Sequence, residues 1–505
     1  LKAGKENSPV NGGMFRSGNN FFLKRQILLG VNCLVSDQNA GFDKVLGKFD
    51  VFALAFGAMI GWGWVILTGD WINAAGSIGA MLAFGLGSAV VIFVGLAYSE
   101  LTAAMPKVGG EHVFCYRAMG ITASFIATWS IILSYISVVA FEAVALPTVI
   151  EYLIPGYYKG YLWTVAGWDV YASWVAVGVI ASIILTIANY FGVKTAALLQ
   201  SLFTIIIFIA GVLLVTGSLF NGSTAKMEPL FVSGAGGMMT VLIMTPFMFV
   251  GFNVIPQAAE EINLPYKSIG KVLILSVIMA AAFYMLIIFG VSRSLTAGEM
   301  TASKLVTADA MAALFGGHWA GKLLILGGIA GIVSSWNGFY IGASRAIYAM
   351  ARSKMLPEFL GYMHPKYKTP SNAILLIGAL STLAPLFGRK MLVWLVDAGG
   401  LSICVAYLLV CIAFIILRNR EPEMSRPFKV SNGKFIGYIA IILSMGFVLL
   451  YLPGSPSALV WPYEWVIVGG WTIMGIIFYY WARRTYGNEA ADSYMRKEIF
   501  SADKQ

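Results

Sequence analysis

Apolar residues run in blocks along this chain, and most blocks are about as long as a membrane is thick. They are Phe49–Ala75, Ile78–Leu101, Ile121–Ile150, Val170–Tyr190, Ala196–Leu219, Met238–Ala259, Val272–Val291, Leu323–Met350, Ala373–Phe387, Leu392–Leu417, Phe435–Leu452 and Trp461–Trp481. A bilayer core is crossed by about 20 helical residues. The pattern therefore predicts an all-α polytopic membrane protein with about 12 transmembrane helices.

Two blocks are interrupted. The first carries G-A-M-I-G-W-G-W, with Gly57, Gly61 and Gly63 where a spanning helix should be continuous. The sixth reads T-P-F-M-F-V-G-F-N-V-I-P-Q, with Pro246, Gly251 and Pro256 inside one apolar run. Glycine lowers the cost of leaving a helix, and proline removes a donor and clashes with the preceding turn. Glycines in a span also serve as packing notches between helices. In hydrocarbon each freed N–H or C=O costs several kcal/mol, so a real break has to face a polar cavity. Two breaks five spans apart point to an inverted-repeat transporter with its site at mid-membrane.

Composition agrees with the pattern. Of the 505 residues 59% are hydrophobic and 11% charged, against about 25% charged in a soluble domain. The net charge of +10 is a topology signal. With the N-terminus inside, 27 of the 34 Lys and Arg fall on cytoplasmic segments, and removing the 7 that precede the first span leaves 20 against 7. Both termini are thus expected in the cytoplasm of a cell-membrane protein, and no nucleic-acid partner is called for. Cys33, Cys115, Cys404 and Cys411 have no metal or disulfide spacing. His112, His318 and His364 are scattered and expected at loop surfaces. The short apolar run Ile27–Val35 behind Lys24 and Arg25 imitates a signal peptide but is too short to span, so residues 1–42 are expected to be a cytoplasmic tail.

Six motifs in order resemble the amino acid–polyamine–organocation superfamily of permeases over about residues 43–485. They are G-A-M-I-G-W-G-W-V, Tyr98–Phe114, Phe247–Asn253 with A-E-E at Ala259–Glu261, Ser344–Pro357, His364–Pro370 and R-P-F-K-V at Arg426–Val430. The resemblance implies two inverted five-helix repeats (49–219 and 237–418), broken helices 1 and 6, two trailing helices (435–481) and a C-terminal tail at 486–505. It also implies substrate contacts. The main-chain N–H groups of Trp62 and Gly63, after Gly61, would hold a carboxylate. The carbonyls of Met59, Phe247 and Val250, beside Gly251, would hold an amino group. Phe247 would act as a lid and Asn253 would line the pocket. Trp62 and Trp64 stand where the family has Ser and Ile, which shrinks the pocket or aims it at an apolar substrate.

Coupling has two candidates and no cofactor. Some relatives carry a fifth-span Lys in place of sodium; that position here is Ile207, and Lys194 lies nearer the cytoplasmic end. Ser334 or Ser335 facing the carbonyls of Gly57 and Ile60 would make an oxygen cage for Na+, although helical serines also bond back to the preceding turn. Glu142, inside the third span, is a candidate proton acceptor or cation partner, because an intramembrane acid is costly unless it faces a cavity; a hydrogen-bonded structural role is the alternative. Glu100, Glu260 and Glu261 read as gate or topology residues. The expected function is secondary transport of a neutral or apolar amino acid, with an amine or polyamine permease and a transporter-like nutrient sensor as alternatives. No HExxH, GxSxG or paired aspartates suggest an enzyme. The expected partners are a small-molecule substrate and the lipid bilayer.

Overall fold

The computed structural model describes residues 42–500 apart from 304, 456, 457 and 488. The segment 1–41, with the run Ile27–Val35 and Cys33, lies outside the described residues, as does the side chain of Lys194. Among those described, nine helices are long and apolar enough to cross a membrane. They are span 2 (Ser77–Ala104), span 3 (Ile121–Leu153), span 4 (Ala172–Tyr190), span 5 (Val193–Asn221), span 7 (Tyr266–Ser294), span 8 (His318–Arg352), span 10 (Met391–Arg420), span 11 (Gly433–Leu450) and span 12 (Tyr463–Tyr486). The other three apolar blocks are the interrupted ones and a short one. Span 1 is Lys48–Met59 followed by Gly63–Ile66 and Thr68–Ala75. Span 6 is Gly234–Leu242, Thr245–Met248 and Val254–Gln257. Span 9 is Ser371–Leu383, tightening to a 3-10 turn at Pro385. The protein is a helical polytopic membrane protein.

Two local expectations need correction. Val170 is not helical: β1 (Tyr161–Val165) pairs antiparallel with β2 (Trp168–Tyr171), and span 4 starts after it. The aromatic and β-branched residues there favour strands, and Ala166 and Gly167, at φ 49° and 77°, make the tight turn a hairpin needs. The C-terminal tail contains a docked helix, Ala490–Phe500, tied down by Tyr116 donating to Asp492 at 2.8 Å and Lys107 to Glu498 at 3.0 Å. His112 is buried, not on a loop surface. Its ring lies 2.9 Å from the Ser124 hydroxyl and 2.9 Å from that of Ser353.

The Lys/Arg-rich face is closed by charge pairs. Arg345 Nε reaches Glu261 Oε1 at 2.7 Å, with side chains 1% and 2% exposed. Glu100 pairs with Arg418 and, at 3.0 Å, with Arg426. Chain entering span 1 is also stitched to chain leaving span 6, through Leu46 N–H to Glu261 O at 3.0 Å and Asn263 N–H to Leu46 O at 2.9 Å. These links set the N-terminal end of span 1 and the C-terminal end of span 6 side by side.

A short helix, Glu111–Met119, lies between spans 2 and 3 and buries two titratable groups. Glu111 accepts from Gln257 at the inner end of span 6. Burial pushes its carboxyl up to about 8 from an ordinary 4.5, against the opposing bond from Gln257. Burial pushes the His112 imidazole down to about 3 from 6.5.

Two stability predictions follow from this face. Removing one member of a buried ion pair strands the other, so Arg345→Met should cost about 3–5 kcal/mol, and adding Glu261→Gln should recover most of it; chemical unfolding of the three proteins measures both. Between pH 4.5 and about 8 the folded chain holds the Glu111 proton that the unfolded chain has released, so stability falls as pH rises through that window. Below about pH 6.5 the opposite His112 shift offsets this slope, so melting temperature should decline from about pH 6.5 to pH 8, less so in Glu111→Gln, while the acid-side loss from His112 stays.

Candidate functional site

The two interruptions meet at the centre of the fold. In span 1 the inner half ends where Ile60 N–H bonds Phe56 O at 3.0 Å, and the outer half starts where Val65 N–H bonds Trp62 O at 3.0 Å. In span 6 Gly251 adopts φ +142°, a region only glycine enters readily. A Cβ there would lie 2.6 Å from Met59 N and 2.9 Å from Ala58 C. The backbones of the two breaks are therefore in direct contact.

Their freed groups are met from neighbouring spans. The Tyr284 hydroxyl in span 7 stands 2.8 Å from Met59 O and 3.2 Å from Met248 O, bridging both breaks. Tyr135 in span 3 donates to Asn253 O at 2.9 Å. Gly251 N–H donates to Asn253 Oδ1 at 3.0 Å. Asn253 thus braces its own break and does not line the cavity.

Between the breaks is a cavity of ≈ 20 Å³, room for about one water. Of the sequence-predicted residues, Met59, Gly61, Trp62, Gly63, Phe247, Val250, Ser335 and Glu142 line it. Gly57, Ile60, Trp64, Gly251, Asn253 and Ser334 do not. A larger solute enters only if flexible walls such as Met59, Met248 or Phe247 move. Phe247 is 6% exposed and packs edge-on to Phe141 at 5.9 Å.

Glu142 is the one acidic liner and is 1% exposed. Its Oε1 points at Gly61 in the span 1 break, beside the Ser335 hydroxyl. Oε2 has no hydrogen-bond partner among the described residues. A Cβ on Gly61 would run into Oε1 and sit 3.0 Å from Ser335 Oγ, so glycine there is what lets the carboxyl reach the backbone.

The two serines of span 8 are separated. Ser335 lies beside Glu142, whereas Ser334 Oγ accepts from Gln200 Nε2 at 2.7 Å. Gln200 also donates to Ala53 O at 3.1 Å, and its Oε1 accepts from Asn337 at 2.9 Å. Asn337 accepts in turn from Asn189 at 2.9 Å. The fifth-span side chains facing Gly57 are thus Gln200 and Thr204, beside Ser334. An amide N–H₂ fills the space assigned to an oxygen cage.

A family model described as amino acid permease matches residues 46–479. The chain belongs to that family. The permease is 26% identical over 456 residues to the branched-chain amino acid permease BcaP of Bacillus subtilis, covering 86% of this chain and 92% of the relative. It is 23% identical over 444 residues to a methylthioribose transporter of the same organism (86% and 93% covered). It is 25% identical over 430 residues to its aspartate-proton symporter (81% and 79% covered).

Sequence reasoning missed several walls of the permease's cavity: Ala58, Val138, Phe141, Met248, Tyr284 and Phe339. Some were within reach. Val138 lies four residues before Glu142 and Phe339 four after Ser335, so each shares a helix face with a residue already singled out. Tyr284 and Gln200 gave no such signal.

Gly63 and Gly251 should respond oppositely to a methyl group. On Gly63 it would lie 2.7 Å from Met248 Sδ, the end of a flexible side chain that can swing into the cavity. Helix propensity also improves by about 0.8–1.0 kcal/mol. Gly63→Ala should keep its melting temperature and lose ligand affinity. Gly251→Ala meets rigid backbone at positive φ and should lose at least about 2 kcal/mol. A destabilised Gly63→Ala that binds like wild type would remove the break from the site.

Proposed function

We propose that the permease is a secondary transporter of a small, amine-bearing solute with an apolar body, working by alternating access around the paired breaks. The observation that carries this reading is a mid-span cavity walled by freed main chain, aromatic rings and one carboxyl. Broken spans are how a membrane protein offers polar partners without many charged side chains. Neutral amino acids and simple amines both meet this description. Residues 43–485 form the transport unit in this reading, with repeats at 49–219 and 237–418. The Lys/Arg-rich face is cytoplasmic, as the loop charges of a cell-membrane protein require.

For coupling, the geometry supports a proton or exchange over sodium at Ser334. A hard cation needs oxygen ligands, and Gln200 presents a donor there. Glu142, lining the cavity beside Gly61, Ser335 and Tyr284, is the group positioned to take a proton.

Reconstitution into liposomes tests this. Uptake should saturate, persist when choline replaces sodium, and fall when Phe247→Ala removes the lid while insertion stays normal. Saturable binding without flux would favour a sensor. Strict sodium dependence lost in Ser334→Ala would return the cage.

A further inference from the structure

We propose that the groove between spans 3, 10 and 12 binds one anionic phospholipid, with an acyl chain along the groove and the phosphate on Arg483 and Arg484 at its mouth. The groove shares no lining residue with the broken-span cavity, so this site stands or falls independently of the transport site.

Span 12 stands off from the bundle. Only 11% of its most apolar stretch is buried, against 89% for span 3. Its main joint to span 3 is reciprocal: the indoles of Trp129 and Trp471 stack at 4.3 Å, and each donates to the other residue's carbonyl at 2.9 Å. Gly475 makes room for this joint, since a Cβ there would run into the Trp129 indole. Around it the three spans leave a lateral groove of ≈ 400 Å³, walled by Phe125, Leu133, Leu401, Val405, Val468 and Ile476 among others.

The chemistry of the groove narrows its occupant. Its mid-span hydroxyls are spent within their own helices, Thr472 on Val468 O at 2.8 Å and Ser402 on Ala398 O at 2.9 Å. Water needs several polar partners, so this surface suits hydrocarbon. From Val468 to Tyr479 the groove follows span 12 for about 16 Å, close to the hydrocarbon depth of one leaflet. An acyl chain of the surrounding bilayer has that reach.

Polar and cationic groups gather at one end only. There the Thr122 and Tyr479 hydroxyls lie 2.8 Å apart, and the Arg483 guanidinium sits over the Tyr479 ring at 4.4 Å. Arg484 follows it, also exposed. Arg420 donates to Ala118 O at 3.1 Å, just before span 3 begins. None of these three arginines has a carboxylate partner among the described residues; Glu421, next in the chain to Arg420, is paired with Arg117 at 2.7 Å. Basic groups at the end of an apolar cleft between spans suit an anionic headgroup. A sterol would fill the apolar length but offer the arginines only a hydroxyl.

The full chain, purified in detergent, is titrated with dioleoyl phosphatidylglycerol, dioleoyl phosphatidylcholine and cholesterol. The two phospholipids share their chains and differ in headgroup charge. Melting temperature reads stabilisation, and native mass spectrometry counts the lipids retained. One phosphatidylglycerol should be retained, about tenfold tighter than phosphatidylcholine, the order expected of two arginines near a headgroup. Added salt should shrink that margin. The double change Arg483→Gln and Arg484→Gln should abolish it while leaving phosphatidylcholine binding as it was. Val405→Phe fills the groove from span 10 and should weaken both phospholipids alike; Ile476→Trp, at a half-exposed position of span 12, does the same if Val405→Phe does not fold. Equal affinity for the two phospholipids overturns the anionic headgroup, as does a preference that survives the double change. Binding unchanged in a folded groove-filling variant overturns the groove as the seat. Cholesterol retained in place of phosphatidylglycerol assigns the groove to a sterol and overturns the proposal.

Discussion

A backbone polar group in hydrocarbon has to be satisfied within the protein, and the centre of this permease is organised around that requirement. Two helices come apart at the same place, and the groups they release cannot be left to lipid. The tyrosine hydroxyls close much of the gap. Tyr284 bridges a carbonyl from each break, and Tyr135 meets the carbonyl of Asn253. Gly251 lets the breaks touch. Both tyrosines belong to spans distant in sequence from the breaks they meet. Loss of Tyr284 should therefore be felt at both breaks.

Polar chemistry is sorted by depth. Inside the spans it is mostly neutral: Asn189, Asn337, Gln200 and Ser334 pass hydrogen bonds from span 4 through spans 8 and 5 to the Ala53 carbonyl. Neutral amides can tie helices together without the desolvation cost of charge. Formal ion pairs gather at the Lys/Arg-rich face, where Glu100, Glu261, Arg345, Arg418 and Arg426 join the ends of spans. Such pairs contribute little net stability when buried, but they specify which ends meet.

Glu142 is the exception to this sorting, a carboxyl deep in a span whose Oε2 has no hydrogen-bond partner among the described residues. Its position explains why Gly61 matters more than helix propensity suggests. The glycine interrupts the span and also clears the path by which an acid from span 3 reaches span 1 main chain.

The sequence alone determined the number and order of the spans, the two that break and the family. These depend on hydropathy, glycine and proline, which act through the few residues around them. It also singled out Glu142, Phe247 and Ser335, because an acid in an apolar run or an aromatic ring beside a break is visible locally. Tertiary packing decided what each of them faces. Ser334 and Ser335 are adjacent in sequence but turned about 100° apart on the helix, so one meets an amide and the other the acid. Gln200 reaches Ser334, His112 is buried by span 8, and Asn253 turns back on its own break. Each outcome depends on the rotation and depth of one helix against another remote in sequence, and hydropathy, which is nearly uniform around a buried span, does not encode that rotation.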